Sequence, residues 1–430
     1  RAIKIDPHNE VAYFNLALLY NRAGKKAEAE DVYRRAMIQD AASPKLLNNL
    51  GLLESRKGSL VRAEDLFRDA LALSPTYMTA AINLSALLSR QGRVAEVNEL
   101  LTPFLDRQSA SAELYYNAGL AHLRQGRLEA AMARFSDALI KKPDYIEARH
   151  NLGLTYLRMN LPERAERVLA PVRDAEESAP RTLLNLAVAQ IRKREYQVAA
   201  ETLASIIEAE PDYAEAWYNL GLAEYKQRRY KAAAAAFDKA IELRKPYPEA
   251  HYNLGLCYLK LTELKRALAA FSNAIMEKPD YAEAWYNLGV VFDRMNDERM
   301  IDAFRKATEL APGEHRYFAA HGRALQWARK FDPAADVFQT ALRLMGKKEE
   351  RLMARRAYCL ALAKRFKEAD AAYLELIDAF PGNPSHVFND GVLKTRTGRH
   401  AMAAERYEQL LAMNPGYYKA LNNLAYAYMR

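Results

Sequence analysis

The chain has 430 residues, half of them hydrophobic, with a formal net charge of +9 and a pI of about 9.2. That length is too great for one ordinary core and suits an array whose units bury surface only against their neighbours. The two cysteines exclude a disulfide framework and no apolar run reaches membrane-spanning length. A modest positive excess on so long a chain favours acidic partners without pointing to nucleic acid.

The opening residues, Arg1-Ala2-Ile3-Lys4-Ile5-Asp6-Pro7, read as the close of a repeat, so residues 1–9 are expected to be the tail of a unit that begins upstream. From there units start at Glu10, Pro44, Met78, Ala112, Ile146, Pro180, Ala214 and Pro248, each 34 residues after the last. A fixed period of that size is the mark of a stacked-repeat solenoid. Within each unit apolar residues recur at three- and four-residue steps in two stretches, which predicts two amphipathic helices. Gly24, Gly58, Gly92 and Gly126 separate the stretches where the chain must reverse.

Residues 10–383 accommodate eleven such repeats, with a register irregularity near 295–349. The unit from about Ala282 lacks one residue near Met295-Asn296-Asp297, the unit from His315 carries one more, and register returns at Glu350. Residues 384–417 make a twelfth repeat, and 418–430 match only a first helix, so 1–430 reads as a single repeat array. Leu421, Leu424, Ala425 and Tyr428 at one end, and Ala2, Ile3 and Ile5 at the other, have no following or preceding helix to cover them. Further repeats, another subunit or a second copy are therefore expected there.

Aligned on its period, the chain falls into columns. A small residue occupies Ala17, Gly51, Ser85, Gly119, Gly153, Ala187, Gly221, Gly255 and Gly289. A second small column begins at Ala29 and Ala63, and a large one holds Tyr33, Phe67, Phe135, Phe237 and Phe271; many units close on proline, as at Pro143, Pro211 and Pro279. The segment from Ala214 through Trp217, Leu220 and Gly221, with Ala233, Phe237 and Ala240, resembles the tetratricopeptide repeat, and the resemblance covers essentially the whole chain. It implies an all-α, right-handed superhelical solenoid of tetratricopeptide-type helical hairpins.

The most informative column is polar. Asn15, Asn49, Asn83, Asn117, Asn151, Asn185, Asn219, Asn253 and Asn287 follow one another without a break. In the family resembled, the first helix of each unit lines a concave groove and this column points into it. The array is similar to the superhelical repeat domain of O-linked N-acetylglucosamine transferases, whose asparagine ladder holds an extended polypeptide. An amide can bond a backbone without reading its sequence. The plainer alternative is that asparagine is simply common at this position in the family.

A basic column lies seven residues after the asparagines: Arg22, Arg56, Arg90, Arg124, Arg158, Arg192, Lys226, Lys260 and Arg294. It is read either as a positive rail beside the ladder or, preferably, as helix-terminal cations favoured by the dipole. The ladder breaks at Ala320 and Arg355 and resumes at Asn389 and Asn423. Around the break, Arg316, Arg323, Arg351 and Arg355 are candidate contacts for an anionic partner, against the alternative of solvated charge. Tyr218, Tyr252 and Tyr286, beside the asparagines, are candidate walls of the groove as well as core residues.

No phosphate loop, nucleophile elbow, HExxH or metal-spaced cysteine pair is present, so no enzyme activity, cofactor or metal is expected. Cys257 and Cys359 share one column and read as small core residues. The function expected is a protein-interaction module that binds an extended, disordered or acidic polypeptide, with no small-molecule substrate, nucleic acid disfavoured and no membrane insertion. Two alternatives stay open. One is a structural scaffold of a secretion, pilus or flagellar-motor type of assembly; the other is the targeting domain of an enzyme whose catalytic part lies beyond Arg430. A soluble cytoplasmic or periplasmic segment is expected.

Overall fold

The structure is a computed structural model that describes residues 2–105, 107, 109–172 and 180–430; Arg1, in the expected truncated unit, lies outside them. All regular structure among the described residues is helical. The chain divides into two compact units, residues 1–211 and 212–430.

In the first unit, a short turn at Ala2–Ile5 precedes helical hairpins. They run Glu10–Arg22 with Lys26–Ile38, Pro44–Lys57 with Leu60–Leu73, Met78–Arg90 with Val94–Leu105, Ala112–Arg124 with Leu128–Lys141, Ile146–Arg158 with Pro162–Leu169, and Pro180–Arg192 with Tyr196–Ala209. The second unit pairs Ala214–Lys226 with Tyr230–Leu243, Pro248–Lys260 with Leu264–Glu277, Ala282–Arg294 with Met300–Leu310, His315–Trp327 with Phe331–Met345, Glu350–Leu362 with Phe366–Ala379, and Pro384–Arg396 with His400–Met413. Tyr418–Met429 follows.

Each hairpin is fixed by the same contacts. Small residues of the first helix let the second approach until a large side chain lies on the first helix's backbone, an aromatic ring in most hairpins and Leu169 against Gly153. A Cβ added at Gly221 would stand 2.7 Å from Phe237, and one at Gly255 would meet Phe271 at the same distance. Phe67, Phe135, Phe237, Phe271, Phe304 and Phe338 are accordingly among the largest fully buried side chains. The reversal between the two helices needs one residue in the left-handed region. Glycine supplies it at Gly24, Gly58, Gly92 and Gly126, but Asn160, Arg194, Arg228, Thr262, Asn296, Arg329 and Lys364 adopt the same conformation in later repeats.

The missing residue near Met295 is taken up locally. Met300–Leu310 spans 11 residues where its counterparts Tyr230–Leu243 and Leu264–Glu277 span 14, and the next second helix, Phe331–Met345, spans 15 and ends on left-handed Gly346. Cys257 and Cys359 are fully buried, and burial pushes the Cys257 thiol up to about 12 and the Cys359 thiol up to about 11.

Candidate functional site

The asparagine column lies near the middle of the first helices that carry it, and most of its side chains are half-buried. In the second unit the pattern is regular. Asn253 Nδ2 donates to the Glu249 carbonyl of its own helix at 2.9 Å and to the Tyr218 hydroxyl of the preceding hairpin at 3.0 Å. Asn287 repeats this with Glu283 at 2.9 Å and Tyr252 at 3.1 Å, and Asn219 donates to the Glu215 carbonyl at 2.8 Å. In the first unit Asn151 does the same with Glu147 and Tyr116, at 2.8 and 3.3 Å.

A backbone carbonyl can only accept, so these contacts fix which end of each amide is nitrogen. Both N–H groups of Asn151, Asn253 and Asn287 are then in use. The Oδ1 atoms of these three and of Asn219 accept from no described residue. What these four members of the column present is a set of acceptors.

Elsewhere in the first unit the column is less uniform. Asn83 Nδ2 donates to Asn48 Oδ1 at 2.8 Å, buried Asn117 donates to the Ser85 hydroxyl at 3.1 Å, and Asn49 Oδ1 accepts from Asn48 Nδ2 at 3.5 Å. Asn15 is exposed and Asn185 half-buried. Arg124, Lys142, His150, Asn151 and Arg181 line a cavity of about 730 Å³ in this unit. Burial, aided by the Arg181 charge, holds His150 below its ordinary value and hence neutral near pH 7.

The tyrosines that sequence placed beside the asparagines are packing residues first. Tyr218 sits between Phe237 and Tyr247, with ring centroids at 5.7 and 5.1 Å; Tyr252 lies between Phe271 and Tyr281, and Tyr286 between Phe304 and Tyr317. Burial raises the Tyr218 and Tyr252 phenols, so they stay protonated and serve as partners for the next asparagine.

Three members of the basic column cap the preceding first helix. Arg124 and Arg192 donate to the carbonyls of Ser89 and Leu157, and Arg294 donates to that of Leu259 at 3.4 Å, in each case at the C-terminal end of the preceding first helix. These guanidinium groups satisfy carbonyls that a helix end leaves open.

The four arginines around the break do not gather at one place. Arg316 is turned to Glu314, at 3.1 and 3.2 Å. Arg351 is exposed on the first turn of its helix. Arg323 and Arg355 do meet, lining a cleft of about 370 Å³ with Asp293, Gln326 and Trp327. Trp327, 51 % exposed, was not singled out from the sequence. The signal for it was present: it stands in the basic column one hairpin after Arg294.

These shared columns are matched by family models. The tetratricopeptide repeat models match 282–314, 319–384 and 393–430. A tetratricopeptide repeat protein 21 C-terminal ARM domain model matches 97–285, and a cilia and flagella-associated protein 70 middle TPR-like domain model matches 13–118. The chain is a tetratricopeptide repeat protein.

Among solved structures, this tetratricopeptide repeat protein is similar to one from Parabacteroides merdae ATCC 43184, at 20% identity over 58% of this chain and 98% of that one, with a TM-score of 0.44. It is similar to MamA from Desulfovibrio magneticus RS-1 at 24% identity over 40% of this chain and 97% of that one, with a TM-score of 0.37. The Cut9–Hcn1 hetero-tetramer of APC/C gives 14% identity, 97% and 96% coverage and a TM-score of 0.36. No curated protein sequence matches the chain significantly. The repeats support a protein-interaction or scaffold role. No helix among the described residues is long and apolar enough to cross a membrane.

Proposed function

We propose that the asparagine column holds an extended or disordered polypeptide, and that it does so by accepting hydrogen bonds from the partner's backbone N–H groups. The observation that carries this reading is the one-sided use of the amides. Their nitrogens are occupied by Glu147, Glu249 and Glu283 carbonyls and by Tyr116, Tyr218 and Tyr252, while their oxygens have no described donor. An extended backbone offers N–H donors whatever its side chains, so contact of this kind is independent of sequence. The resemblance to the repeat domain of O-linked N-acetylglucosamine transferases points the same way. The sequence carries no nucleophile elbow, phosphate loop, HExxH or metal-spaced cysteine pair, which is in keeping with a binding role.

The test uses the acceptor-only geometry. A labelled, acetylated and amidated dodecapeptide of Gly, Ser and Thr is titrated with the 430-residue chain by fluorescence anisotropy, beside the same peptide N-methylated at alternate residues. Each neutral hydrogen bond contributes about 0.5–1.5 kcal/mol, so losing three should weaken binding roughly tenfold or more. Equal affinity of the two peptides, or no binding of the unmethylated one, would sink the reading.

A further inference from the structure

The interruption of the ladder is a built feature with its own chemistry. At Ala320 the asparagine is gone, and the Tyr286 hydroxyl, whose counterparts Tyr218 and Tyr252 each meet an asparagine of the next hairpin, makes no hydrogen bond to any described residue. Three residues on, where earlier first helices carry Leu222, Leu256 and Val290, stands Arg323. Seven residues on, where Arg294 caps the Leu259 carbonyl, stands exposed Trp327. In the next hairpin the asparagine is replaced by Arg355, whose Nη1 donates to Gln326 Oε1 at 2.6 Å.

The cation of this section has therefore moved from the helix terminus to the asparagine face, and it is not used up there. Arg323 forms no hydrogen bond or ion pair with any described residue. Arg355 holds one neutral acceptor and keeps further N–H donors. Asp293 is the one carboxylate that lines the cleft, against two guanidinium groups. The floor is apolar, made by Ala320, Ala324 and Phe304, and Trp327 forms a wall. An apolar floor and wall lower the local dielectric, which strengthens an ion pair made inside. Two planar guanidiniums match the two oxygens of a carboxylate.

We propose that this cleft takes a side-chain carboxylate, Glu or Asp, of the polypeptide lying along the asparagine column. The inference rests on the reading that the column holds such a polypeptide, and it adds what that reading lacks. Backbone contacts alone fix no register, because every residue offers the same N–H. A single carboxylate pocket at the break sets which residue lies where. Arg316, turned to Glu314, and Arg351, outside the cleft, have no part in it.

The test compares two acetylated, amidated dodecapeptides of Gly, Ser and Thr that differ in one central residue, Glu or Gln. Blocking both ends leaves the side chain as the one carboxylate. The Glu peptide should bind the wild-type chain at least tenfold more tightly than the Gln peptide. Arg323→Gln and Arg355→Gln should each abolish most of that preference while leaving the Gln peptide's affinity unchanged, whereas Arg351→Gln should keep it. Circular dichroism melts of the variants establish that they are folded; Arg323→Lys, which keeps the charge, should restore part of the preference. Equal binding of the two peptides to the wild type overturns the cleft alone. Preference retained in both Arg323→Gln and Arg355→Gln overturns it as well. No binding of either peptide overturns the backbone-holding column and the cleft together.

Discussion

Asn253 and Tyr218 lie 35 residues apart and are joined by a 3.0 Å hydrogen bond from amide nitrogen to phenol oxygen. The bond links the first helices of consecutive hairpins. The same amide donates to Glu249 within its own helix, so one side chain fixes both its own orientation and its neighbour's. The asparagine column is thus part of what stacks the repeats as well as a candidate contact surface.

Removing that amide should cost stability. Asn253→Ala loses two hydrogen bonds and leaves the half-buried Tyr218 hydroxyl without its partner, for a cost of about 1–2 kcal/mol. Because each repeat is held mainly by its neighbours, the effect should be local. Hydrogen exchange in Pro248–Lys260 should speed up roughly five- to thirtyfold. Unchanged exchange there would show the Tyr218 contact to be energetically idle.

The close approach of helices at Gly221 makes a second expectation. A methyl group there would stand 2.7 Å from Phe237, whose ring is fully buried. Gly221→Ala should destabilise the second unit by roughly 1–3 kcal/mol, as overpacking does. Gly313 has nothing within 4 Å and no positive φ, so Gly313→Ala should be neutral or slightly stabilising. Urea midpoints of the two variants check the contrast, and equal midpoints would remove the steric account.

Thr262 offers a stabilising change. It holds φ +60° at the reversal between Pro248–Lys260 and Leu264–Glu277, a conformation that costs an L residue about 1–2 kcal/mol, and more when it is β-branched. Gly24, Gly58, Gly92 and Gly126 take the same position without that cost. Part of the gain is offset by the greater backbone freedom of glycine when unfolded, so Thr262→Gly should stabilise by about 0.5–1 kcal/mol. A lower urea midpoint would contradict this.

The period of 34, the small and aromatic columns and the turn at Gly24 made the hairpins legible, because packing repeats wherever residue volume does. The hydrogen-bond state of the column did not show in the sequence. Asn253 and Tyr218 lie far apart along the chain, and which amide atom stays open depends on the Glu249 carbonyl, which no residue letter records. The cleft at Ala320 was half legible: the break in the asparagines was visible and Arg323 and Arg355 were named. Only the fold separates them from Arg316 and Arg351. Asp390 is a different case. It is fully buried, and Arg406 Nε at 2.8 Å and the Lys394 ammonium neutralise it; periodicity alone has no way to foresee such a pairing.

Acid should weaken the second unit through His321. The ring is buried in the first helix His315–Trp327, and its pKa is lowered from 6.5 to about 4, first by burial and then by the Arg305 charge; Asp302 and Glu309 pull the other way. The fold therefore favours the neutral ring, and the unfolded chain takes up the proton first. Its contribution is fully present above pH 6.5 and is lost as pH falls from 6.5 towards 4, reaching about 3 kcal/mol at most. His251 is lowered in the same direction by burial and adds to the slope. Replacing the ring by the residue that most repeats carry in this column, as in His321→Leu, should flatten the dependence by close to one proton over that interval. Urea midpoints of both proteins, taken at half-unit steps between pH 7 and 4, give the two slopes. A variant that tracks the wild type throughout would mean that the ring is protonated in the folded state as readily as in the unfolded one.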